Sequence, residues 1–505
     1  MDTKALRQKI LDLAICGKLA PQDPNDEPAS VLLERIRREK KKMVEEGKLK
    51  PKDIKKDTII FKGEDNLHYE KFQDGTVKCI EDEIPFEVPE GWAWCKLKHI
   101  CMMAAGKSKP SDQIKAEPFV ESYPCFGGNG IRGYLDEYNQ DGTFSIIGRQ
   151  GALCGNINIA SGKFYATEHA VVTTLFYGID FNWSNYTLEA LQLNKYATGA
   201  AQPGLSVANI LNVFVPVPPT QEQKRIGKKI VESIKIIETI EQEKMDLQTI
   251  VVNTKSKILD LSIRGKLVSQ HPNDEPASAL LEHIRAEKEE LIKQGKIKRN
   301  KKECIIFKGD DNSYYQQTGT LIENLNEWDL EDIPNNWELC CLGELCDYGN
   351  CTNVDANNIA DDAWILELED IEKDTGRILQ KIKKANRDST STKHLFHKGQ
   401  VLYSKLRPYL NKVVIADEDG FCTSEILPLD FSTVVESQYA LYYLMSPTFL
   451  KYANRCSYGV KMPRLGTADG KKAVFPLPPL KEQQRIVQYI SAIFAKMDTI
   501  VNALT

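Results

Sequence analysis

Apolar residues recur along the middle of the chain at Ile226, Ile230, Ile237, Ile240, Leu247, Val251, Ile258 and Leu261. Their register steps three and four residues at a time, and only Ser233, Lys244 and Thr254 interrupt it. Such a stripe is a coiled-coil seam. No proline lies between Pro219 and Pro272. The pattern therefore predicts one helix from Pro219 to about Gly265, roughly 70 Å long at about 1.5 Å per residue, with Gly265 as its stop. The last part of the chain carries the same stripe at Ile486, Ile490, Ile493, Met497, Ile500 and Leu504, and the first part supplies Leu6, Ile10 and Leu13. Laid on the central helix, the last stretch ends at the equivalent of Met245 and the first begins at the equivalent of Thr249. Together they amount to the central helix cut in its middle. The expected geometry sets them end to end and antiparallel against it. That gives a circularly permuted repeat with a pseudo-two-fold axis, in which a two-helix coiled coil spaces two globular parts.

Between the helical stretches the pattern changes. Residues 143–158 (TFSIIGRQGALCGNIN) and 164–175 (FYATEHAVVTTL) are β-branched and aromatic runs broken by glycine turns. Residues 401–414 (VLYSKLRPYLNKVV) and 420–429 (GFCTSEILPL) match them at an offset of 256. Each insert is therefore expected to be a mixed α/β domain. A second helix in each half opens at PNDEP, with Pro28 and Pro276 in the first turn and Gly47 and Gly295 at the ends.

The halves repeat one another in sequence as well as in pattern. Lys9 to Lys40 returns as Lys257 to Lys288, with 24 of 32 positions identical by direct count. IIFKGEDN at 59–66 returns as IIFKGDDN at 305–312, and VPVPPTQEQKRI at 215–226 returns as FPLPPLKEQQRI at 475–486. Between these anchors, residues 93–214 and 338–474 share only scattered positions. One frame thus carries two variable inserts, and the variation is where function is expected. The expected parts are a half spacer helix (1–20), a charged helical region (21–85), a first insert (86–218), the central helix (219–268), a second charged region (269–330), a second insert (331–478) and the other half helix (479–505).

Composition narrows the class. No run of 18 apolar residues and no signal-peptide pattern is present, and the thirteen cysteines are scattered. This fits a cytoplasmic protein without membrane contact. Cys341, Cys346 and Cys351 are evenly spaced, but no CxxC and no neighbouring histidine makes them a zinc set. The net charge of −5 does not exclude nucleic acid, because binding depends on a local face. Residues 31–56 hold eleven Lys or Arg against five Asp or Glu. That surface suits either solvent or an acidic partner.

Catalytic motifs do not emerge. CMMAAGKS at 101–108 lacks the first glycine of a phosphate loop, and no dinucleotide fingerprint, HExxH or GxSxG stands in the chain. The [ND]PP[YF] tetrapeptide of adenine aminomethyltransferases is also absent. No catalytic residue, metal site or resident cofactor is expected. The inserts instead place different polar residues at matching loops. Arg149 falls at the position of Lys405, with Arg407 two residues on, and GAAQPGL at 199–205 aligns with GVKMPRL at 459–465. Arg, Lys, Gln and Asn on exposed turns pair with base edges. The expected DNA contacts are Asn129, Arg132, Arg149, Gln150 and Gln202 in the first insert, and Tyr403, Lys405, Arg407, Lys461 and Arg464 in the second. For Arg149 a structural ion pair is the other reading, and for Tyr403 the core.

At these residues the chain resembles the specificity subunit of type I restriction–modification enzymes. PVPPTQEQKRI, PLPPLKEQQRI, KILDLAICGKL, KILDLSIRGKL, NGIRGY, IIGRQG and YSKLRPYLNKV carry the resemblance, in the family's order and over nearly the whole chain. It implies two target-recognition domains, each reading one half of a bipartite duplex, with the helices setting the gap. It implies two DNA methyltransferase subunits supplied with S-adenosylmethionine, and restriction subunits using ATP and Mg. It also implies a subunit that is not itself an enzyme. Gln223, Arg225, Gln483 and Arg485, at the starts of the helices, are the expected partner contacts. Two rival classes are a fused adenine-N6 DNA methyltransferase and a bivalent protein-binding scaffold without DNA.

Overall fold

The structure, a computed structural model, describes residues 2–504 apart from 152, 200–202, 296–303, 329, 331, 332, 388, 389 and 432. The chain divides into two compact units, Met1–Lys244 and Met245–Thr505.

The first unit opens with α1 (Thr3–Ile15) and α2 (Ala29–Glu45), followed by a meander of β1 (Ile59–Lys62), β2 (His68–Lys71) and β3 (Val77–Cys79). The insert begins with β4 (Ala93–Lys96) and closes with β11 (Phe214–Val217), which pair antiparallel. Within that clasp lie β5 (Cys101–Ala105), β6 (Tyr123–Gly127), β7 (Gly130–Leu135), β8 (Gln140–Gly148), β9 (Ile157–Ala166) and β10 (Ala170–Leu175). They form one six-stranded sheet in the order β5-β10-β8-β9-β6-β7, in which only β6 and β9 run parallel. The strand reading of 143–158 and 164–175 thus lands on β8, β9 and β10. Helix α3 (Phe181–Ala190) follows, and Asp180 caps it through its side chain.

After β11 the chain enters α4 (Thr220–Ile263), a single helix of 44 residues that begins in the first unit and ends in the second. Gly265 adopts φ +64° just beyond it, as expected of a helix stop. In the first unit, Ile226, Ile230, Ile234 and Ile237 are buried. Ile226, Ile230 and Ile234 join one core with Leu11 and Ala14 of α1. Gln22 donates to Glu222, while Arg7 lies within electrostatic reach of Glu238. Rising positions at the chain start therefore meet falling positions on α4, so the two helices run antiparallel.

The second unit repeats the plan. It holds α5 (Ala277–Lys293) and a meander of β12 (Cys304–Lys308), β13 (Tyr314–Thr318) and β14 (Leu321–Asn324). A clasp joins β15 (Glu338–Cys341) to a strand near the chain end. The insert contains β16 (Asn353–Val354), β17 (Trp364–Leu366), β18 (Ile382–Lys383), β19 (Lys393–Phe396), β20 (Val401–Ser404), β21 (Val413–Ile415), β22 (Gly420–Thr423) and β23 (Ile426–Leu429). Here the sheet divides into β16-β19-β22-β17-β18 and β21-β20-β23. Helices α6 (Ser437–Leu444) and α7 (Pro447–Arg455), a ribbon of β24 (Ser457–Tyr458) and β25 (Arg464–Leu465), the clasp strand β26 (Val474–Leu477) and α8 (Leu480–Leu504) complete the unit. Ile486 and Ile490 of α8 share a core with Ile258 and Ile263 of α4. Lys255 pairs with Asp498 at 2.5 Å and Gln270 donates to Glu482, so this helix pair is antiparallel too. Each buried isoleucine along these seams contributes on the order of 1.5–3 kcal/mol.

One tie differs between the units. In the first, Glu70 Oε1 accepts from Thr58 Oγ1 and from Lys96 Nζ, both at 2.6 Å, which fastens the meander to the clasp. At the matching places the second unit has Cys304, Gln316 and Cys341, and Cys304 and Cys341 form a disulfide. The three exchanges are consistent, since a carboxylate is kept only where a lysine faces it. Two of the cysteines that read as scattered in sequence are thus joined. Closing 37 residues stabilises the fold by about 4 kcal/mol in the chain-entropy treatment. Cys304→Ser is therefore expected to lower the denaturation midpoint of the second unit by that order and to leave the first unit's unchanged. An unchanged midpoint for both would remove the covalent tie.

Candidate nucleic-acid interface

A loop leaves the end of β8 in the first unit and the end of β20 in the second, and both are fastened by the same backbone bonds. Arg149 N donates to His169 O at 3.1 Å, and Arg149 O accepts from Leu205 N at 2.8 Å. Lys405 N donates to Glu425 O, and Lys405 O accepts from Leu465 N, each at 3.0 Å. Two residues on, Gly151 N donates to Pro203 O and Arg407 N donates to Pro463 O. The pairing of Arg149 with Lys405, read from sequence, is thus a pairing of backbone positions as well.

The third residue of this loop is left-handed in both units, with φ +85° at Gly151 and +49° at Arg407. Glycine adopts that conformation freely, whereas a side chain there costs about 1–2 kcal/mol. The second unit carries this strain at a residue whose guanidinium has no partner among the described residues, and whose Nε is buried. Strain retained at a loop is a sign of use at that loop.

In the first unit the β6–β7 hairpin is drawn onto the loop by two glycines. A Cβ added to Gly148 would fall 1.9 Å from Gly128 O, so only glycine admits this approach. It brings Asn129 to the site, where Asn129 Oδ1 accepts from Asn156 Nδ2 at 3.0 Å. A Cβ on Gly130 would meet Asn158 Oδ1 at 3.3 Å. Gln150 is exposed and bridges to Gly204. Arg132 is exposed on β7 and donates to Ser111 Oγ. The structure therefore gathers Asn129, Arg149 and Gln150 and sets Arg132 on the same hairpin as Asn129. Gln202 lies outside the described residues.

Four buried polar atoms here have no partner among the described residues: Arg149 Nε, Asn158 Nδ2, Glu168 Oε2 and His169 Nδ1. The other faces of Glu168 and His169 meet each other, Oε1 to Nε2, at 3.2 Å. Unsatisfied donors and acceptors grouped at one loop are what a polar ligand would complete. A carboxylate can accept from cytosine N4, and Arg or Asn can face guanine or adenine. Glu168, His169, Asn156 and Asn158 were not among the sequence candidates. Only the turn between β9 and β10 brings the first two beside Arg149, and no spacing announces that.

The second unit corrects several expectations. Tyr403 is 3% exposed and packs edge-on against Phe449 at 5.6 Å. It is a core residue and is not available to a base. Arg464 is exposed enough to act, but its fork is filled by Glu425, with Nε and Nη2 at 2.9–3.1 Å from the carboxylate. It braces the loop. Lys405 is half-buried and makes no side-chain bond among the described residues, and Lys461 is exposed between β24 and β25. His394, which Lys405 approaches, has its pKa lowered first by burial, and its Nδ1–H donates to Ile426 O at 2.8 Å. The imidazole is held neutral in the core.

The helix-start motif is architectural. Gln223 is fully buried: its Oε1 accepts from Asp180 N and its Nε2 donates to Pro218 O, both at 2.9 Å. Gln483 does the same with Glu436 N, Val434 O and Pro478 O. Arg225 pairs with Asp26 at 2.5 Å and Arg485 with Asp274 at 2.7 Å. The glutamines hold the start of each long helix against the recognition fold, and the arginines hold it against the PNDEP turn. The expectation that Gln223 and Gln483 face a partner is corrected, because their amides are buried and spent inside the chain. Arg225 and Arg485 keep Nε without a partner among the described residues and remain part-exposed. Glu222 and Glu482, one residue before the glutamines, are buried, and burial raises both carboxyl pKa values.

Among the described residues no group of His, Cys, Asp and Glu is placed to hold a metal, and no helix is long and apolar enough to cross a membrane. The family profile described as type I restriction modification DNA specificity domain matches residues 89–249 and 334–504. The type I restriction enzyme EcoprrI specificity subunit of Escherichia coli is 45% identical over 153 residues, which cover 29% of this chain and 36% of that one. The Escherichia coli EcoAI specificity subunit is 25% identical in an alignment covering 99% of this chain and 89% of that one. A solved chain from work on assembly and conformational transition of the type I R-M system matches at 15% identity and a TM-score of 0.49, over 83% of this chain and 94% of that one.

Proposed function

The chain belongs to the type I restriction–modification DNA specificity family, and from that premise we propose that its two units read the two halves of one bipartite duplex. The recognition domains are residues 86–218 and 331–478. The observation that carries the reading is the loop built twice on the same backbone bonds with different side chains, Arg149 and Gly151 in one unit, Lys405 and Arg407 in the other. A shared scaffold with exchanged polar groups is what two readers of different half-sites require.

The subunit performs no chemistry in this account. Two methyltransferase subunits, binding S-adenosylmethionine, flip and methylate adenine. Restriction subunits with ATP and Mg add cleavage. The charged regions 21–85 and 269–330 dock these partners in the cytoplasm, and α4 with α1 and α8 fixes the gap between half-sites. Half-sites on one face of B-DNA lie about 34 Å apart per helical turn. The test is competition binding by the assembled methyltransferase complex at stated salt. A duplex bearing the methylated site is expected to compete at least about a thousandfold better than random duplex. Equal competition rejects the role.

A further inference from the structure

The β24–β25 ribbon of the second unit ends in a turn that exposes apolar side chains. Tyr458 is 63% exposed, Val460 101% and Met462 42%. Lys461 stands exposed between the last two. Large apolar groups gathered on one exposed turn mark a contact surface. This turn is also fastened at its root. Pro463 O accepts from Arg407 N at 2.7 Å, Leu465 N donates to Lys405 O, and Arg464 is forked onto Glu425. The aligned sequence of the first insert reads Gly199-Ala200-Ala201-Gln202-Pro203, with small or polar residues where Val460 and Met462 stand.

Two features fix the occupant. The turn alternates apolar and cationic residues, and its root carries Lys405 and Arg407, whose side chains make no bond among the described residues. An apolar protein groove would leave those cations unpaired, whereas a nucleic-acid groove is lined with phosphate. The major groove admits a two-stranded β-ribbon, and its one apolar landmark is the C5-methyl of thymine. We propose that Val460 and Met462 read thymine methyl groups in the half-site bound by the second unit. At the aligned positions the first insert has Ala200 and Gln202, neither of which is a large apolar side chain. The inference rests on the DNA-reading role proposed above and adds a specific chemical group to it.

The test uses the full chain assembled with its methyltransferase subunits and a duplex bearing the methylated site. Each thymine is replaced in turn by deoxyuridine, which removes only the methyl. Replacement at one or two positions of one half-site is expected to weaken binding roughly three- to tenfold, about the worth of one buried methyl. Replacement in the other half, the one whose discrimination Arg149→Ala relaxes, is expected to change nothing. The double variant Val460→Ser with Met462→Ser is expected to bind the thymine duplex as weakly as the native complex binds the deoxyuridine duplex, and to be indifferent to the replacement. Both residues are exposed, so the variant keeps its fold. Native binding unaffected by every deoxyuridine overturns the inference while leaving the DNA-reading role intact. So does a double variant that loses affinity equally for both duplexes yet still responds to the methyl, which would indicate a wedge between base steps. Failure to prefer any specific duplex overturns the DNA-reading role, and this inference with it.

Discussion

Arg149→Ala and Lys405→Ala are each expected to slow methylation of the cognate site by roughly ten- to a hundredfold, the range of a lost base contact of about 1–3 kcal/mol. Both side chains leave loops whose backbone bonds run through main-chain atoms alone. Truncation therefore spares the loop. Neither residue makes an ion pair among the described residues, so no buried partner charge is stranded, and assembly with the methyltransferase should persist on size-exclusion chromatography. The effect should also be local in sequence. Arg149→Ala relaxes discrimination in one half-site and Lys405→Ala in the other, whereas a lost phosphate contact would weaken all duplexes alike. If both variants methylate the native site at the native rate, the assignment of the site fails.

The second large effect concerns α4. Inserting four residues between Thr239 and Gln242 lengthens an unbroken helix by about 6 Å. A four-residue insertion also shifts the heptad register, and the seam of α4 is apolar on both sides of that point, with Ile237 and Val251 buried. If the helices set the distance between half-sites, the preferred gap grows by about two base pairs or methylation is lost. Methylation rates on duplexes with gaps varied one base pair at a time decide between these outcomes and an unaltered preference. An unaltered preference contradicts the ruler.

Much of this arrangement was legible in the residues. The helical stripe was visible because a seam must be apolar at fixed spacing, and Ile226, Ile230 and Ile237 are buried as that requires. The match of Arg149 to Lys405 was legible because the flanking strands repeat at a constant offset. Other features left no trace. An amide spent on backbone groups reads the same as one facing a partner, so Gln223 and Gln483 were misread. Tyr403 lies on a strand of only four residues, too short for alternation to fix its face. Glu168 and His169 reach Arg149 only because β9 and β10 turn back beside β8, a fact of topology. Cys304 and Cys341 meet across 37 positions and between two different sheets. Arg407 carries a left-handed backbone that its residue type would not suggest.

The central claim is that this chain decides where adenine is methylated, through two separate readers. Genome-wide mapping of methylated adenines, with the chain present, deleted, or carrying Arg149→Ala, tests it most directly. A bipartite motif is expected that disappears on deletion and degenerates in one half alone with the variant. A methylation map unchanged by deletion, or a variant that degrades both halves equally, would contradict it.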